Sequence, residues 1–386
     1  MQIEQCPYCG SNNLTKYLDI NLPILEKVVP EDILSQIQNR RLVAKLCLDC
    51  LLGFNATPVE EEILEKIYKD FYFIGYISPF EGIGNTKFQG IIELIKKNVS
   101  KNEKIMEIGC GDGYLLYKLK ELGYINTLGI EPSDLCEYGK KEGIKIYKTL
   151  LTEEVLRDVQ GSDVFLMVHV LEHFKDPFST LKLLKKYLNP AGKIIIEVPN
   201  FEGYIHEHLY FFNKPFMHRL ASDLEFEIIE EEYTDDIIRI VFSAANCLDK
   251  KRDNYNFYEE AKKLIDYATR RQKLLEETVK KLETIIKENS QNNIYIWGAG
   301  SLAIDLLNQI DVEVFSRSNI KVIDGDKRKW GMFLPGVGLR VEPFITIKED
   351  KTPKVLIIMS SFYNEILKTI NENGIKAEKI EVFTRL

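Results

Sequence analysis

The sequence predicts an α/β protein, a doubly wound sheet flanked by an N-terminal cysteine-bearing module and a C-terminal Rossmann-like α/β domain. Three observations predict it. Strand and helix patterns alternate from Lys104 to about Ala245, as a parallel sheet with right-handed crossovers requires. Two Cys-x-x-Cys pairs lie within the first 50 residues. A second strand, glycine loop and helix begins at Ile294.

Strand candidates are Lys104–Ile108, Thr127–Ile130, Val164–Val168, Lys193–Val198, Glu225–Tyr233 and Ile237–Ala244, with Val322–Asp324 and Val355–Met359 further on. Helical spacing appears at Glu60–Tyr68, Lys87–Asn98, Tyr114–Glu121 and Pro177–Tyr187. From Tyr255 to about Glu288, Leu264, Ala268, Leu275, Val279, Leu282 and Ile286 recur at helical spacing among charges, the pattern of a packed connecting helix. These divide the chain into a cysteine module (1–55), a helical connector (56–100), a doubly wound domain (101–245), a linking helix (246–290) and a C-terminal Rossmann-like domain (291–386).

Hydrophobic residues make up 45% and charged residues 28% of the 386, the balance of an ordinary globular protein. No apolar run reaches the roughly 18 residues that span a bilayer, so the expectation is a cytoplasmic protein without a membrane partner. The net charge of −8 disfavours a large phosphate-backbone partner, and no nucleic acid is expected. The composition does not address oligomeric state.

Cys6, Cys9, Cys47 and Cys50 form two matched pairs separated by 37 residues, the spacing of a tetrahedral thiolate site. Four protein ligands leave no open position, so a zinc ion there is structural. Four unconnected thiols are the alternative. Zinc ribbons often bind nucleic acid, which keeps an RNA-binding ribbon in play, opposed by the negative charge.

Lys104–Ile108 runs into Gly109-Cys110-Gly111-Asp112-Gly113 and then a helix. Glycines there permit a tight turn and close backbone approach to a ligand. Glu107 precedes the loop, where it can meet the cationic end of a methionine moiety. Glu131, followed by Pro132, ends the next strand, where an acid can accept from ribose hydroxyls. Strand, acid, three glycines, helix, strand and second acid in order point to S-adenosylmethionine, and so to a class I methyltransferase sheet. His169, Glu172 and His173 follow the strand Val164–Val168. Alone, His-x-x-Glu-His matches a zinc-peptidase pattern. Its place at a strand end, stopping at Pro177, assigns it to the border of the cofactor crevice instead. The Asn/Asp-Pro-Pro-aromatic segment of base-modifying N-methyltransferases is missing here.

Taken together, these motifs resemble the zinc-containing sugar C-methyltransferases that act on nucleotide-linked keto-deoxysugars. The resemblance runs nearly end to end. It takes in both cysteine pairs, Glu107–Gly113, His169–His173, His206-Glu207-His208-Leu209-x-Phe211, Asp324–Gly331 with Leu334-Pro335-Gly336, and Ser361–Ile366. It implies His208 as general base with Glu207 beside it, and His206 and Tyr204 in the same catalytic segment. A near-neutral imidazole suits proton removal beside a ketone, giving an enolate that takes the methyl group. Ile205 stands where the family has tyrosine, with Tyr204 one place earlier, which opens O- or N-methylation of a related glycan precursor. The resemblance also implies Tyr72 and Tyr76 on the substrate side.

Ile294–Trp297 leads into Gly298-Ala299-Gly300-Ser301-Leu302-Ala303, and Asp324 closes the next strand about 20 residues on, a nucleotide half-site pattern. The resemblance makes Gly298, Gly300, Asp324 and Lys329 candidates for holding the nucleotide of a nucleotide-sugar substrate. Without the resemblance, an NAD-linked oxidoreductase is the alternative, but it leaves the first loop and the cysteines unexplained.

Overall fold

The computed structural model describes residues 2–67, 78–81, 88–244, 256–316 and 319–384. Tyr72 and Tyr76 lie outside the described residues, as does Cys247.

The N-terminal module is a small antiparallel sheet of β1 (Leu14–Pro23), β2 (Asn39–Cys47) and β3 (Gly53–Asn55). The central domain follows with β4 (Ile105–Ile108), β5 (Thr127–Ile130), β6 (Ile146–Tyr147), β7 (Ser162–Val168), β8 (Leu188–Pro199), β9 (Tyr210–Phe211), β10 (Glu227–Tyr233) and β11 (Ile237–Ser243). Seven of these form one sheet in the order β10-β11-β8-β7-β4-β5-β6. Strands β4 to β8 run parallel, and β11 enters antiparallel to β8. The helix Phe257–Glu288 then leads to a five-stranded parallel sheet of β12 (Asn293–Trp297), β13 (Asn319–Asp324), β14 (Val341–Pro343), β15 (Lys354–Met359) and β16 (Lys379–Phe383), in the order β14-β13-β12-β15-β16.

The expected alternation is present, with end shifts of a few residues. The strand expected from Glu225 begins at Glu227, because Glu225 adopts a left-handed φ of 56° that turns the chain into it. The two-residue β6 was not anticipated, being too short to carry a period. The helix expected from Tyr255 begins at Phe257, where Asn256 caps it through Glu259 N–H.

One strand departs from sequence order. β9 leaves the central sheet and pairs with β3, extending the N-terminal sheet to β1-β2-β3-β9. Gly53 is needed for that approach, since a Cβ there would lie 2.8 Å from both Phe201 and the Phe211 carbonyl oxygen. The cysteine module consequently shares a core with the central domain: Cys6, Cys47, Cys50 and Phe54 pack in one cluster with Phe178, Tyr210, Phe212 and Phe216. So few residues bury too little apolar surface to stand alone. The C-terminal core likewise takes in Val28 of the N-terminal module and Leu282, Ile285 and Ile286 of the long helix. Val29 and Phe333 exchange two backbone hydrogen bonds across this junction, at 2.9 and 2.7 Å.

Asn213 joins the module to the central domain. Its side-chain amide donates to the Leu51 carbonyl at 2.6 Å, while Oδ1 accepts from Phe216 N–H at 3.0 Å and caps the helix Lys214–Asp223. Loss of the cap and of the partner to a buried carbonyl is expected to make Asn213→Ala about 2–3 kcal/mol less stable in urea denaturation.

Candidate active site

The glycine loop sits where β4 ends in the centre of the sheet, as ligand sites do in open α/β folds. Gly109, Gly111 and Gly113 all take left-handed φ values of 68°, 54° and 76°. A Cβ on Gly109 would also come within 2.5 Å of Val170. Glu107 is buried, and its Oε2 has no hydrogen-bond partner. Burial, reinforced by Asp112 and Glu131, pushes its carboxyl well above the usual range. Such a carboxyl beside a loop of three left-handed glycines fits a cationic ligand.

Glu131 grips the loop: Oε2 accepts from Gly111 N–H at 2.9 Å, and Oε1 accepts from the amide (3.0 Å) and hydroxyl of Ser133. Pro132 lies between Glu131 and Ser133 in that turn. Asp112 is directed at structure, accepting from Tyr114 N–H at 3.0 Å and from the Ser78 hydroxyl at 2.5 Å.

Beyond β7 the chain makes a left-handed turn at His169, φ 51°, and a short 3-10 turn at Leu171–His173. Glu172 is fully buried and neither of its oxygens has a hydrogen bond. His173 Nδ1 lies 3.0 Å from the Glu207 carbonyl oxygen, and its ring meets that of His208 edge-on with centroids 4.7 Å apart. His208 Nε2 faces Glu172 Oε1 at 3.9 Å. Burial, with the charge of His173, drives His208 down to about 3, so its imidazole is neutral at physiological pH and a weaker base in this unliganded state than the near-neutral one expected. Burial raises the Glu207 carboxyl, against the opposing effects of its own backbone amide, His173 and Lys27.

The structure thus brings His169, Glu172, His173, Glu207 and His208 together, but not the rest of the expected catalytic segment. His206 turns to the N-terminal module, its Nε2 3.2 Å from the Leu22 carbonyl oxygen and 3.1 Å from that of Arg40. Tyr204 packs among Tyr17, Phe201 and Phe211, its hydroxyl donating to the Phe201 carbonyl at 2.5 Å. Both hold the loop against the hairpin.

Two residues missed in the sequence join this group. Glu197 Oε1 lies 3.1 Å from His169 Nε2, and Glu197 Oε2 accepts from Arg239 Nε at 2.5 Å. Their signal was present: a lone acid within Ile194-Ile195-Ile196-Glu197-Val198 and a lone cation within Ile237-Ile238-Arg239-Ile240-Val241. Only the register pairs them across β8 and β11.

In the C-terminal domain Gly298 approaches β15 so closely that a Cβ would meet the Met359 carbonyl oxygen at 2.3 Å. Gly300 is open, with nothing within 4 Å of a Cβ. The Asp324 carboxylate accepts from Ala299 N–H (2.8 Å), Asp326 N–H (2.8 Å) and Lys329 Nζ (3.0 Å). It therefore braces the second glycine loop, and Lys329 is paired with it.

Cys6, Cys9, Cys47 and Cys50 converge, with Sγ–Sγ distances of 3.5 Å for Cys6–Cys50 and 3.6 Å for Cys9–Cys47. A tetrahedral ion with metal–sulfur bonds of about 2.3 Å would set edges of about 3.8 Å, so the four thiols fit one.

Residues 86–231 match the family model described as a methyltransferase domain. The tRNA U34 carboxymethyltransferase of Nautilia profundicola is 27% identical over 197 residues, 47% of this chain and 64% of that protein. The corresponding protein of Hydrogenovibrio crunogenus is 33% identical over 116 residues, 27% and 35% of the two chains. The ubiquinone biosynthesis O-methyltransferase of Histophilus somni is 27% identical over 157 residues, 38% and 65%. The chain thus spans between about a third and two thirds of these relatives' lengths. Among solved structures, the 1,6-didemethyltoxoflavin-N1-methyltransferase of Burkholderia thailandensis aligns with 50% of this chain and 96% of its own, at 12% identity and a TM-score of 0.40.

The strand order, the glycine loop and the matched family model make the central domain a methyltransferase domain of class I. It is of the S-adenosylmethionine-dependent kind. The relatives named above are not sugar C-methyltransferases, and the matched span leaves out both the cysteine pairs and the second glycine loop.

Gly109→Ala, strained in backbone and blocked by Val170, is expected to weaken S-adenosylhomocysteine binding at least about 30-fold by calorimetry, about 2 kcal/mol.

Proposed function

We propose that the chain transfers a methyl group from S-adenosylmethionine to a carbon beside the ketone of a nucleotide-linked deoxysugar. The observation that carries this reading is the buried His208, clustered with Glu172 and His173 at the end of β7, where the following residue Val170 abuts the glycine loop. The bound cofactor supplies an electrophilic methyl group. The His208 imidazole takes the proton from the acceptor carbon, and the C–H electron pair becomes that of an enolate. Held by the glycine loop beside Glu107, the sulfonium would supply the methyl group to the enolate carbon, the sulfur–methyl electron pair staying on sulfur. Glu207, next to His208 in the chain, is buried near His173 and Lys27. The extended likeness to sugar C-methyltransferases, cysteine pairs and second glycine loop included, supports the acceptor class. The negative net charge supports a small acceptor over the RNA named for the tRNA-modifying relatives.

The test is deuterium uptake from heavy water into dTDP-4-keto-6-deoxyglucose and related sugars without cofactor. Uptake by the native enzyme that falls at least about 100-fold in His208→Ala, with S-adenosylhomocysteine binding intact, is the expected result. Methyl transfer without uptake would assign the acceptor atom to oxygen or nitrogen. Methylation of RNA with no sugar turnover would overturn the reading.

We further propose that the four cysteines hold one structural zinc. Metal analysis of reductant-purified protein is expected to find one equivalent. Cys50→Ser is expected to lose it and to lower thermal stability, since three thiolates complete neither the ion nor the core they share with Phe178 and Phe216.

A further inference from the structure

Glu172 presents a physical problem that the site described so far leaves open. A carboxylate with no exposed surface and no hydrogen bond to either oxygen needs compensating positive charge. Two imidazoles face it: His169 Nδ1 at 3.6 Å and His208 Nε2 at 3.9 Å, both from Oε1.

His169 is built to supply that charge. Its backbone is held in the left-handed region, rare for a residue with a Cβ, and its ring is thereby placed between two acids. Nε2 lies 3.1 Å from Glu197 Oε1 while Nδ1 faces Glu172. Glu197 is in turn held by Arg239, whose NH1 also reaches Glu232 on β10 at 2.9 Å. Gly90 makes room for that guanidinium, since a Cβ there would lie 2.3 Å from Arg239 Cζ. Burial alone would lower His169, but the two flanking carboxylates of Glu172 and Glu197 outweigh it and raise it to about 9. The ring is cationic at neutral pH.

We propose that Glu172 is a positioning residue for His208, kept ionised by the chain Arg239–Glu197–His169, so that the proton His208 takes arrives opposite a prepared negative charge. This rests on the reading of His208 as the base. At rest the chain alternates Arg⁺, Glu⁻, His⁺, Glu⁻ and ends on a neutral imidazole. Proton transfer makes that imidazole the next cation in the series. Glu172, His173 and His208 also converge closely enough to enclose a small cation. The protonated ring of His169, 3.6 Å from the carboxylate, already supplies the charge.

The groups around His169 set the pH dependence: Glu172 on the 3-10 turn, Glu197 on β8 with Arg239 behind it on β11, and His208 on the following loop. Because its folded value lies above the unfolded one of about 6.5, the pairing is complete below that pH and is lost as pH rises through about 9.

The experiment follows deuterium uptake into dTDP-4-keto-6-deoxyglucose against pH, with histidine titration by NMR in the same proteins. Native enzyme is expected to lose uptake on an alkaline limb near pH 9. Glu172→Gln should slow uptake at pH 7 by about 10- to 100-fold with S-adenosylhomocysteine affinity unchanged. Glu197→Gln should lower the His169 titration by at least about one unit and draw the alkaline limb down with it. Should Glu172→Gln leave uptake unchanged while His208→Ala abolishes it, the chain is wrong and the base stands. Uptake that survives His208→Ala overturns both. Uptake that requires added Mn²⁺ and vanishes in EDTA would show a metal in place of the His169 charge. The titration of His169 needs no substrate, so a value near 6.5 in the native protein would overturn the chain even if the sugar is not the acceptor.

Discussion

The pairing of β9 with β3 is only two residues long, yet the site depends on it. It draws the segment between β8 and β9 out of the central sheet and across to the N-terminal hairpin. His206 then anchors that segment on the carbonyls of Leu22 and Arg40, which face each other across β1 and β2. With the two ends held, His208 is presented to the end of β7 and Glu207 to His173. Without this anchoring the same residues would form a solvated loop. The cysteine module therefore helps to place the segment that carries His206, Glu207 and His208. The four converging cysteines flank β3, the strand against which β9 and this segment are laid.

Burial is the second theme. Carboxyls at Glu107, Glu172, Glu197 and Glu207 and imidazoles at His206 and His208 are all withdrawn from water. Each is compensated differently. Glu197 has Arg239, His206 has two carbonyls, and Glu172 has neighbouring rings but no hydrogen bond. Glu107 has an unpartnered oxygen beside the glycine loop, the expected state of a group that meets its counter-charge on a ligand.

The second glycine loop shows how a motif can be structurally satisfied from within. Its geometry is that of a nucleotide half-site, a parallel strand, a tight turn at Gly298 and a helix starting at Ser301. Yet the acid expected to reach a ribose is filled by two backbone amides and Lys329. A ligand at this loop would be met by the open face at Gly300 or would have to displace Lys329.

Legibility in the sequence followed the range of the interactions. The parallel sheets, the long helix, the glycine loop and the cysteine pairs were all readable, because each is a pattern of neighbours: a period, a spacing, a residue type whose backbone freedom the turn needs. Glu107, Glu131 and the His169–His173 segment were placed correctly at strand ends by the same local signals. What Glu172 faces, where His206 and Tyr204 point, and the pairing of Arg239 with Glu197 were decided only by tertiary structure. The contacts Glu172–His208, Glu197–Arg239 and His206–Leu22 join residues 36, 42 and 184 positions apart, through crossovers and strand register that no local window contains. A histidine in His-Glu-His reads the same whether its ring meets a substrate or a carbonyl. The fold alone determines which side of the segment it takes.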